Sequence, residues 1–367
     1  MFYSGSLCHH LWCKVRRNNR FKEKEMTTVK DKIAIPPMKI SQILHGNWAL
    51  QVLRTGVELD VFGHLTNGPA DSGTVAAGIK ADRRAAEMLL DALVGIGILV
   101  KKDDEYSLTE DAKVYLVPSS ELFMGRYIKQ NDEIDAMWRS LGETVRSGKP
   151  AKEVNQDAKA QEFFPALTEA IFPLNFATAQ RVSQELKIAQ LPAGSKVLDV
   201  AAGAATWSIP MALDNQQLHV DVLDFPPILE VSKKFAEKYA VAERFGYISG
   251  NWRNVPWQRD IYDVIVLGHI LHSEGKELSK QLLRRVFEAM KPGGTLVIAE
   301  FIANNERTGP PFAMLFGVNM LMHTTIGCVF TESELTTMVT EVGFEKVRRM
   351  PLEGMPESPV LIARKAG

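Results

Sequence analysis

Two aspartates, a glycine-bearing turn and two histidines are the residues of this sequence whose types and spacing suit chemistry. Val197-Leu198-Asp199-Val200 runs into the small-residue turn Ala201-Ala202-Gly203-Ala204-Ala205-Thr206. Such a turn lets backbone approach a ligand closely, and the helix after it offers free N–H groups and a positive dipole end. Asp224 closes the next apolar run, 25 residues after Asp199. A carboxylate there can accept hydrogen bonds from both hydroxyls of a ribose; it can also cap the helix opened by Phe225-Pro226-Pro227. The turn lacks the third glycine that seats a pyrophosphate, so the pattern favours a nucleoside ligand without one. Gly250-Asn251-Trp252 closes a third run. Asn251 is expected to hydrogen-bond adenine, with Trp252 or Phe225 against the ring. His272 lies just past a fourth run, beside the same crevice, and His269 stands three residues before it.

The elements that would position these residues are strands alternating with helices. Apolar runs at Lys196–Ala201, Leu218–Asp224, Phe245–Ser249, Tyr262–Leu267 and Thr295–Phe301 alternate with helical patterns, the signature of a doubly wound α/β domain with a parallel sheet. Ligands bind such sheets at the carboxyl ends of the strands. Phe344–Met350 and Pro359–Arg364 follow with no long helix between them, which predicts a hairpin and an antiparallel last strand.

The N-terminal part reads differently. Ile40, Ile43, Leu44, Trp48, Val52, Leu53, Val57 and Val61 recur at helical spacing within 40–65. A short helix opens at Thr74, and a longer one is expected over Arg83–Leu99, with Met88, Leu89, Leu90, Leu93 and Ile96 on one face. Leu99-Val100-Lys101 and Tyr106-Ser107-Leu108 read as a hairpin turning through Asp103-Asp104. Helix, helix and hairpin make a winged-helix pattern. As a DNA reader it is poor: Asp82, Arg83, Arg84, Glu87 and Asp91 nearly cancel on the would-be recognition helix. A platform for self-association is the expectation. Residues 110–190 are mainly helical, with a break at Gly148-Lys149-Pro150. The division expected is a leader over 1–35, a winged-helix domain over 36–120, a helical connector over 121–190 and the α/β domain over 191–367.

Composition bounds the partners. Forty-three Lys+Arg against 44 Asp+Glu leave a net charge of −1, so no global excess of positive charge points to nucleic acid or an anionic membrane. The lopsided stretch is the leader, with Lys14, Arg16, Arg17, Arg20, Lys22 and Lys24. It reads as disordered, no secretory signal is evident, and Met26 is a candidate start. Cys8, Cys13 and Cys328 are too few and too scattered for a disulfide framework or a zinc site. No run of about 18 apolar residues is present to span a membrane. A reducing cytoplasm fits.

In order, the motifs Val197-Leu198-Asp199-Val200-Ala201-Ala202-Gly203, Asp224-Phe225-Pro226, Gly250-Asn251-Trp252, Tyr262-Asp263-Val264, Leu271-His272, Lys291-Pro292-Gly293-Gly294 and Ala299-Glu300 resemble the small-molecule O-methyltransferases of the plant caffeate type. Bacterial polyketide, acetylserotonin and hydroxyneurosporene enzymes are related to these. The resemblance covers roughly 38–365. It implies a class I methyltransferase fold, a Rossmann-like seven-stranded sheet preceded by a winged-helix dimerisation domain. It implies S-adenosylmethionine as cofactor and a homodimer. Asp199, Ala201, Gly203, Asp224, Phe225, Asn251, Trp252 and Gly268 would line the cofactor crevice, with Asp199 orienting the loop or meeting the amino acid part. The helix Phe163–Ala177 would lie over the methionine end, with Asn175 on its carboxylate and Ile171 near the sulfonium; Phe163, Phe164, Phe172 and Phe176 read as well as core. Phe312, Met314, Leu315, Phe316, Asn319, Met320, Met322 and His323 would line the acceptor pocket, and methionine with phenylalanine suits a flat apolar ligand.

The same resemblance makes His272 the general base and Glu300 the carboxylate that steers it, with His269 as the competing histidine. A phenol ionises near pH ~10 and a free imidazole near ~6.5, so complete proton transfer costs about 5 kcal/mol. A nearby sulfonium would reduce that cost. For an aliphatic alcohol, near ~15.7, the cost rises to roughly 12 kcal/mol. Phenols, enols and acids are therefore the expected acceptors, and the resemblance implies a small aromatic or polyketide-like molecule. No metal site is expected, since no Asp/Glu/His cluster suggests a magnesium. Two departures from the plant pattern stand out: Ser273-Glu274 follows the histidine in place of aspartate, and the second supporting glutamate falls near Val329. The alternatives are C- or N-methylation, a non-methylating decarboxylase or hydroxylase relative, and, in another class, a winged-helix DNA-binding regulator.

Overall fold

The computed structural model describes residues 37–129, 131–352 and 359–367. The basic leader, Cys8, Cys13 and Met26 lie outside the described residues. Chain order begins with helix α1 (Met38–Glu58), strand β1 (Ala70–Asp71), α2 (Ser72–Gly78), α3 (Arg83–Gly95), β2 (Leu99–Lys102), β3 (Glu105–Leu108) and α4 (Glu110–Tyr115). These strands form a small antiparallel sheet in the order β1-β3-β2. Asp71, Asp82 and Thr109 cap the three helices that follow them through side-chain bonds to free N–H groups.

Two expectations here need correction. Helix α3 stops at Gly95, not Leu99, because the chain reverses through Gly97 at φ 79°. Met88 and Ile96, expected on one face with Leu90 and Leu93, are 56% and 40% exposed, while Leu90 and Leu93 are fully buried. Helix α1 ends at Glu58 rather than running to 65, and its apolar stripe faces outward: Ile40, Ile43, Leu44 and Trp48 are 65–75% exposed. Its C-terminal end, with Val57, joins Phe62, Leu90, Leu93 and Tyr106 in the core of this unit.

Three short helices, α5 (Gly125–Lys129), α6 (Asn131–Trp138) and α7 (Leu141–Ser147), lead to the long helix α8 (Asp157–Glu185). Helix α8 contains Pro165 and Pro173 and buries Phe172 and Phe176 against Phe235 and Tyr239; Phe163 and Phe164 are only half-buried.

The α/β part then alternates: β4 (Lys196–Val200), α9 (Ser208–Asp214), β5 (His219–Asp224), α10 (Pro226–Lys238), β6 (Phe245–Ser249), β7 (Tyr262–Gly268), α11 (Leu271–Ala289), β8 (Met290–Ala299), α12 (Pro311–His323), α13 (Glu332–Val342), β9 (Phe344–Arg349) and β10 (Val360–Lys365). The seven strands lie in the order β6-β5-β4-β7-β8-β10-β9. All neighbours from β6 to β8 are parallel, and β10 runs antiparallel between β8 and β9. The apolar runs are continuous because the central strands are covered on both faces. One face packs on α8, α9 and α10 through Val197, Val222, Ile209 and Phe235; the other packs on α11 and α13 through Leu198, Ile265, Leu283 and Leu335. Strand β8 starts at Met290 and ends at Ala299, earlier at both ends than the expected Thr295–Phe301. The Lys-Pro-Gly-Gly turn is taken up as a bulge, so Tyr262 pairs with Met290 but Val264 already pairs with Thr295.

Candidate active site

The order reverses between β4 and β7, and in sheets of this kind ligands bind at the carboxyl ends of the strands beside that point. Asp199 stands at the end of β4, wholly buried. Its Oδ2 accepts from the Ser208 hydroxyl at 2.6 Å. Its Oδ1, equally buried, has no hydrogen-bond partner among the described residues. Burial pushes this carboxyl up to about 7, and the neighbouring Asp224 carboxylate adds to the rise. An orphaned buried oxygen of this kind is what a ligand with N–H or O–H groups would satisfy.

The turn after β4 holds three residues at positive φ, Ala201 at 54°, Gly203 at 58° and Ala205 at 56°. At Gly203 the conformation coincides with a close approach: a Cβ there would lie 3.0 Å from Thr168 Cγ2 on α8. Asp224, at the end of β5, ties the turn down. Its Oδ2 accepts from the Gly203 N–H at 2.9 Å and its Oδ1 from the Phe225 N–H at 2.8 Å. The carboxylate does not cap α10, whose N-cap Phe225 carries no side-chain cap. Burial pushes Asp224 up to about 6.

The other cofactor-side candidates separate. Phe225 is half-buried beside Asp224, whereas Trp252 is 5% exposed and belongs to the core with Leu198 and Leu223. Asn251 has both ends of its amide engaged: Nδ2 donates to Asp157 at 2.9 Å and Oδ1 accepts from the Arg253 backbone at 2.9 Å. Gly268 ends β7, where a Cβ would meet the Trp207 ring at 2.3 Å. Asn175 and Ile171 are half-buried on α8, the helix whose Thr168 touches the Gly203 turn.

Strands β7 and β8 are neighbours, with Gly268 opposite Ala299, so the residues just past their ends meet. His272 sits in the first turn of α11, a turn set off from the rest of the helix by Gly275 at φ 67°, ψ −179°. Only glycine takes that conformation readily, and a Cβ there would lie 2.4 Å from the Ile326 carbonyl oxygen. Glu300 holds His272 twice. Its Oε1 accepts from the His272 backbone N–H at 3.1 Å, and its Oε2 lies 2.8 Å from Nδ1. A carboxylate only accepts, so Nδ1 carries the proton and Nε2 keeps its lone pair. Burial alone would raise the Glu300 carboxyl; the adjacent His272, through charge and hydrogen bonds, outweighs it and holds the group below its ordinary value.

His269 adopts φ 61° and stacks on Phe301 at 4.4 Å, with Nδ1 4.0 Å from Glu300 Oε2. Burial pushes its ring down to about 4. The reading that no Asp/Glu/His cluster exists is thereby corrected: ligand atoms of His269, His272 and Glu300 lie within 4.8 Å of one another. Two imidazoles and one carboxylate are not the oxygen set that magnesium prefers.

An aromatic wall closes the other side. Phe316 of α12 meets His272 edge-on at 4.8 Å, and Phe301 contacts Phe316 at 4.3 Å and Phe312 at 5.0 Å. Met320 and His323 are buried further along α12, and Asn319 is half-buried.

Residues that sequence reasoning passed over fasten these parts together. Lys152 and Val154 donate backbone N–H groups to the Met322 and His323 carbonyls at 3.1 and 2.9 Å. Asn155 Nδ2 donates to the Ser273 carbonyl at 2.5 Å. Arg253 lies 3.6 Å from both Asp157 and Glu274. Burial raises the Glu274 carboxyl despite that arginine. The one available signal was Ser273-Glu274 itself, standing where the plant pattern follows the histidine with aspartate.

Comparison with known proteins gives the family and the fold. Residues 138–345 match the O-methyltransferase domain family and residues 41–118 match the O-methyltransferase dimerisation domain. The 3-hydroxy-5-methyl-1-naphthoate 3-O-methyltransferase of Streptomyces sahachiroi is 25% identical over 339 residues, covering 90% of this chain and 96% of that protein. The solved structure of a candidate O-methyltransferase from Nostoc punctiforme aligns with TM-score 0.77 at 27% identity, covering 90% of this chain and 100% of that one. Human N-acetylserotonin methyltransferase in complex with S-adenosylmethionine aligns with TM-score 0.71 at 22% identity, covering 91% and 99%.

Proposed function

The chain belongs to the O-methyltransferase family, whose members use S-adenosylmethionine, and we propose that it methylates a hydroxyl of a small aromatic or polyketide-like acceptor with His272 as general base. The observation that carries the reading is the buried His272–Glu300 pair beside the crevice of Asp199, Gly203 and Asp224.

In this reading Asp224 accepts the ribose hydroxyls, and Asp199 offers its unpartnered Oδ1 to the amino acid end. The Gly203 turn packs on Thr168 and Gly268 on the Trp207 ring, which sets the walls around the nucleoside, and Phe225 rather than the buried Trp252 faces the adenine. Asn175 lies toward the carboxylate. The bound cofactor supplies an electrophilic methyl group on a sulfonium. His272 Nε2 takes the proton of the acceptor hydroxyl, and Glu300 keeps the proton of Nδ1 in place and stabilises the charged ring. Phe301, Phe312, Phe316 and Met320 exclude water from the acceptor and press it flat, while Asn319 and His323 offer polar contacts. The relative that acts on a hydroxynaphthoate supports an aromatic acceptor.

We divide the chain into a winged-helix dimerisation unit to about residue 120, a helical connector to about 190, and a catalytic domain beyond it; the outward stripe of α1 is the surface for a second copy. No helix among the described residues is long and apolar enough to cross a membrane.

Calorimetry with S-adenosylhomocysteine followed by turnover with methyl-labelled cofactor tests the reading. Stoichiometric binding and label on acceptor oxygen are expected. Label on carbon or nitrogen would replace O-methylation by the alternative chemistry, and no binding at all would end the proposal.

A further inference from the structure

We infer that His269, His272 and Glu300 form a binding site for a divalent transition-metal ion of the zinc type, and that the bound ion stops methyl transfer by taking the place of the proton between His272 and Glu300. The site follows from the three side chains themselves; its consequence for turnover rests on the O-methylation reading.

The sheet brings the ligands together. His269 and Glu300 directly follow β7 and β8, parallel neighbours paired Gly268 to Ala299, and His272 stands in the turn that opens α11. Glu300 Oε2 is the shared vertex, 2.8 Å from His272 Nδ1 and 4.0 Å from His269 Nδ1. Two atoms bound to one zinc at about 2.1 Å each lie no more than about 4.2 Å apart. Both separations meet that limit as they stand. The ligand atoms of the whole cluster lie within 4.8 Å of one another, so closure on an ion needs a shift of no more than about 0.6 Å. The rings are also held in place: Phe301 stacks on His269 at 4.4 Å and on His272 at 5.9 Å, with interplanar angles of 28° and 23°.

The donor set selects the ion. Two imidazole nitrogens and one carboxylate oxygen suit zinc and its first-row neighbours, whereas magnesium and calcium take oxygen ligands. Glu300 offsets one of the two charges of the ion, and three protein ligands leave a further position for water.

The hydrogen bonding sets the consequence. Nδ1 of His272 carries the proton that Glu300 accepts, and Nε2 keeps its lone pair. An ion on Nδ1 needs the electron pair that this proton occupies. The proton therefore leaves Nδ1, and the neutral ring carries one on Nε2 instead. Nδ1–metal and metal–Oε2 bonds replace the Nδ1–H···Oε2 bond, with no net change in protons. Nε2 is then a donor, and no base faces the acceptor hydroxyl. Asp199 and Asp224 are not ligands, so the cofactor side is untouched.

The test titrates zinc, in competition with a chromophoric chelator, into the full chain and its His269→Ala and His269→Asp variants. All three carry Cys8→Ser and Cys13→Ser, so that those thiols do not compete. His269→Ala should bind one zinc per chain at least about tenfold more weakly than the parent. His269→Asp, which restores a ligand atom, should recover part of that affinity. Magnesium should not displace the zinc. S-adenosylhomocysteine should bind the parent equally with and without zinc. Turnover of methyl-labelled cofactor should fall in step with zinc occupancy and return when a chelator is added. Equal zinc binding by the parent and His269→Ala, or recovery of none of the lost affinity by His269→Asp, would overturn the site. Zinc held through His269 with turnover unchanged would overturn the inhibition. Label found on carbon or nitrogen would instead end the O-methylation reading and leave the metal site standing.

Discussion

The side of the cleft proposed for the cofactor is built of backbone turns and buried carboxylates, whereas the side proposed for the acceptor is built of aromatic and thioether side chains of one helix. Asp199, Gly203 and Asp224 stand where β4 and β5 end, so strand pairing holds them to one another. Phe312, Phe316 and Met320 are held only by the seat of α12 on its neighbours, and Phe312 is 40% exposed. A nucleoside site built from sheet ends leaves little room for variation, because any change disturbs the fold as well as the ligand. An acceptor site built from side chains can change what it binds at small cost to the core. The dyad of His272 and Glu300 lies on the boundary, positioned by the sheet and facing the helix.

The largest effect should come from that boundary. His272→Ala should lower kcat by about 10²–10⁴, the usual worth of a positioned general base, with S-adenosylhomocysteine affinity unchanged. Weakened cofactor binding would show that the histidine belongs to the cofactor side instead. Next, Asp224→Ala should weaken S-adenosylhomocysteine about a hundredfold by calorimetry, because it removes charge-assisted bonds to the ribose and frees the Gly203 turn. Glu300→Gln should lower kcat about tenfold with little change in acceptor KM, since the ring loses its counter-charge but not its apolar neighbours. An equal rise in KM would make Glu300 a support of the acceptor wall.

Much of this division was legible in the residues. Buried parallel strands are continuous apolar runs, which is why β7, in the middle of the sheet, starts at the expected Tyr262 and ends at Gly268, one residue past the expected Leu267. The residues proposed for the cofactor follow such runs directly, so the same pattern that marks the strands marks the candidate site. The pairing of His272 with Glu300, 28 residues apart, was implied by the resemblance, but that His269 joins them was not visible, because it depends on β7 lying beside β8. The acceptor side was harder still. The face that α12 turns to the cleft depends on Phe301 and on the 152–157 segment, whose contacts with Met322, His323 and Ser273 have no periodic signature. In α1 the apolar stripe was plain, but its exposure was not: a stripe reads the same whether its own core or a second copy covers it.

The smallest expected effect is a pH dependence confined to the cofactor side. Burial raises Asp224 to about 6, and Asp199 moves the same way, to about 7. A raised carboxyl means that the folded chain holds its proton more tightly than the unfolded one. The stability contributed by that proton is therefore lost as pH rises from the ordinary carboxylate range through about 6. Ribose hydroxyls are donors and favour the ionised form, so ligand binding reverses the shift and expels the proton. S-adenosylhomocysteine affinity should then fall by at least about fourfold between pH ~7 and ~5.5. Calorimetry at about pH 5.5 in two buffers of different ionisation enthalpy should report proton release, and Asp224→Asn should release less. Proton uptake on binding, or an affinity flat across that interval, would mean that Asp224 keeps its proton beside the ligand. The carboxylate would then serve the Gly203 turn alone, and the two walls of the cleft would differ less than their chemistry implies.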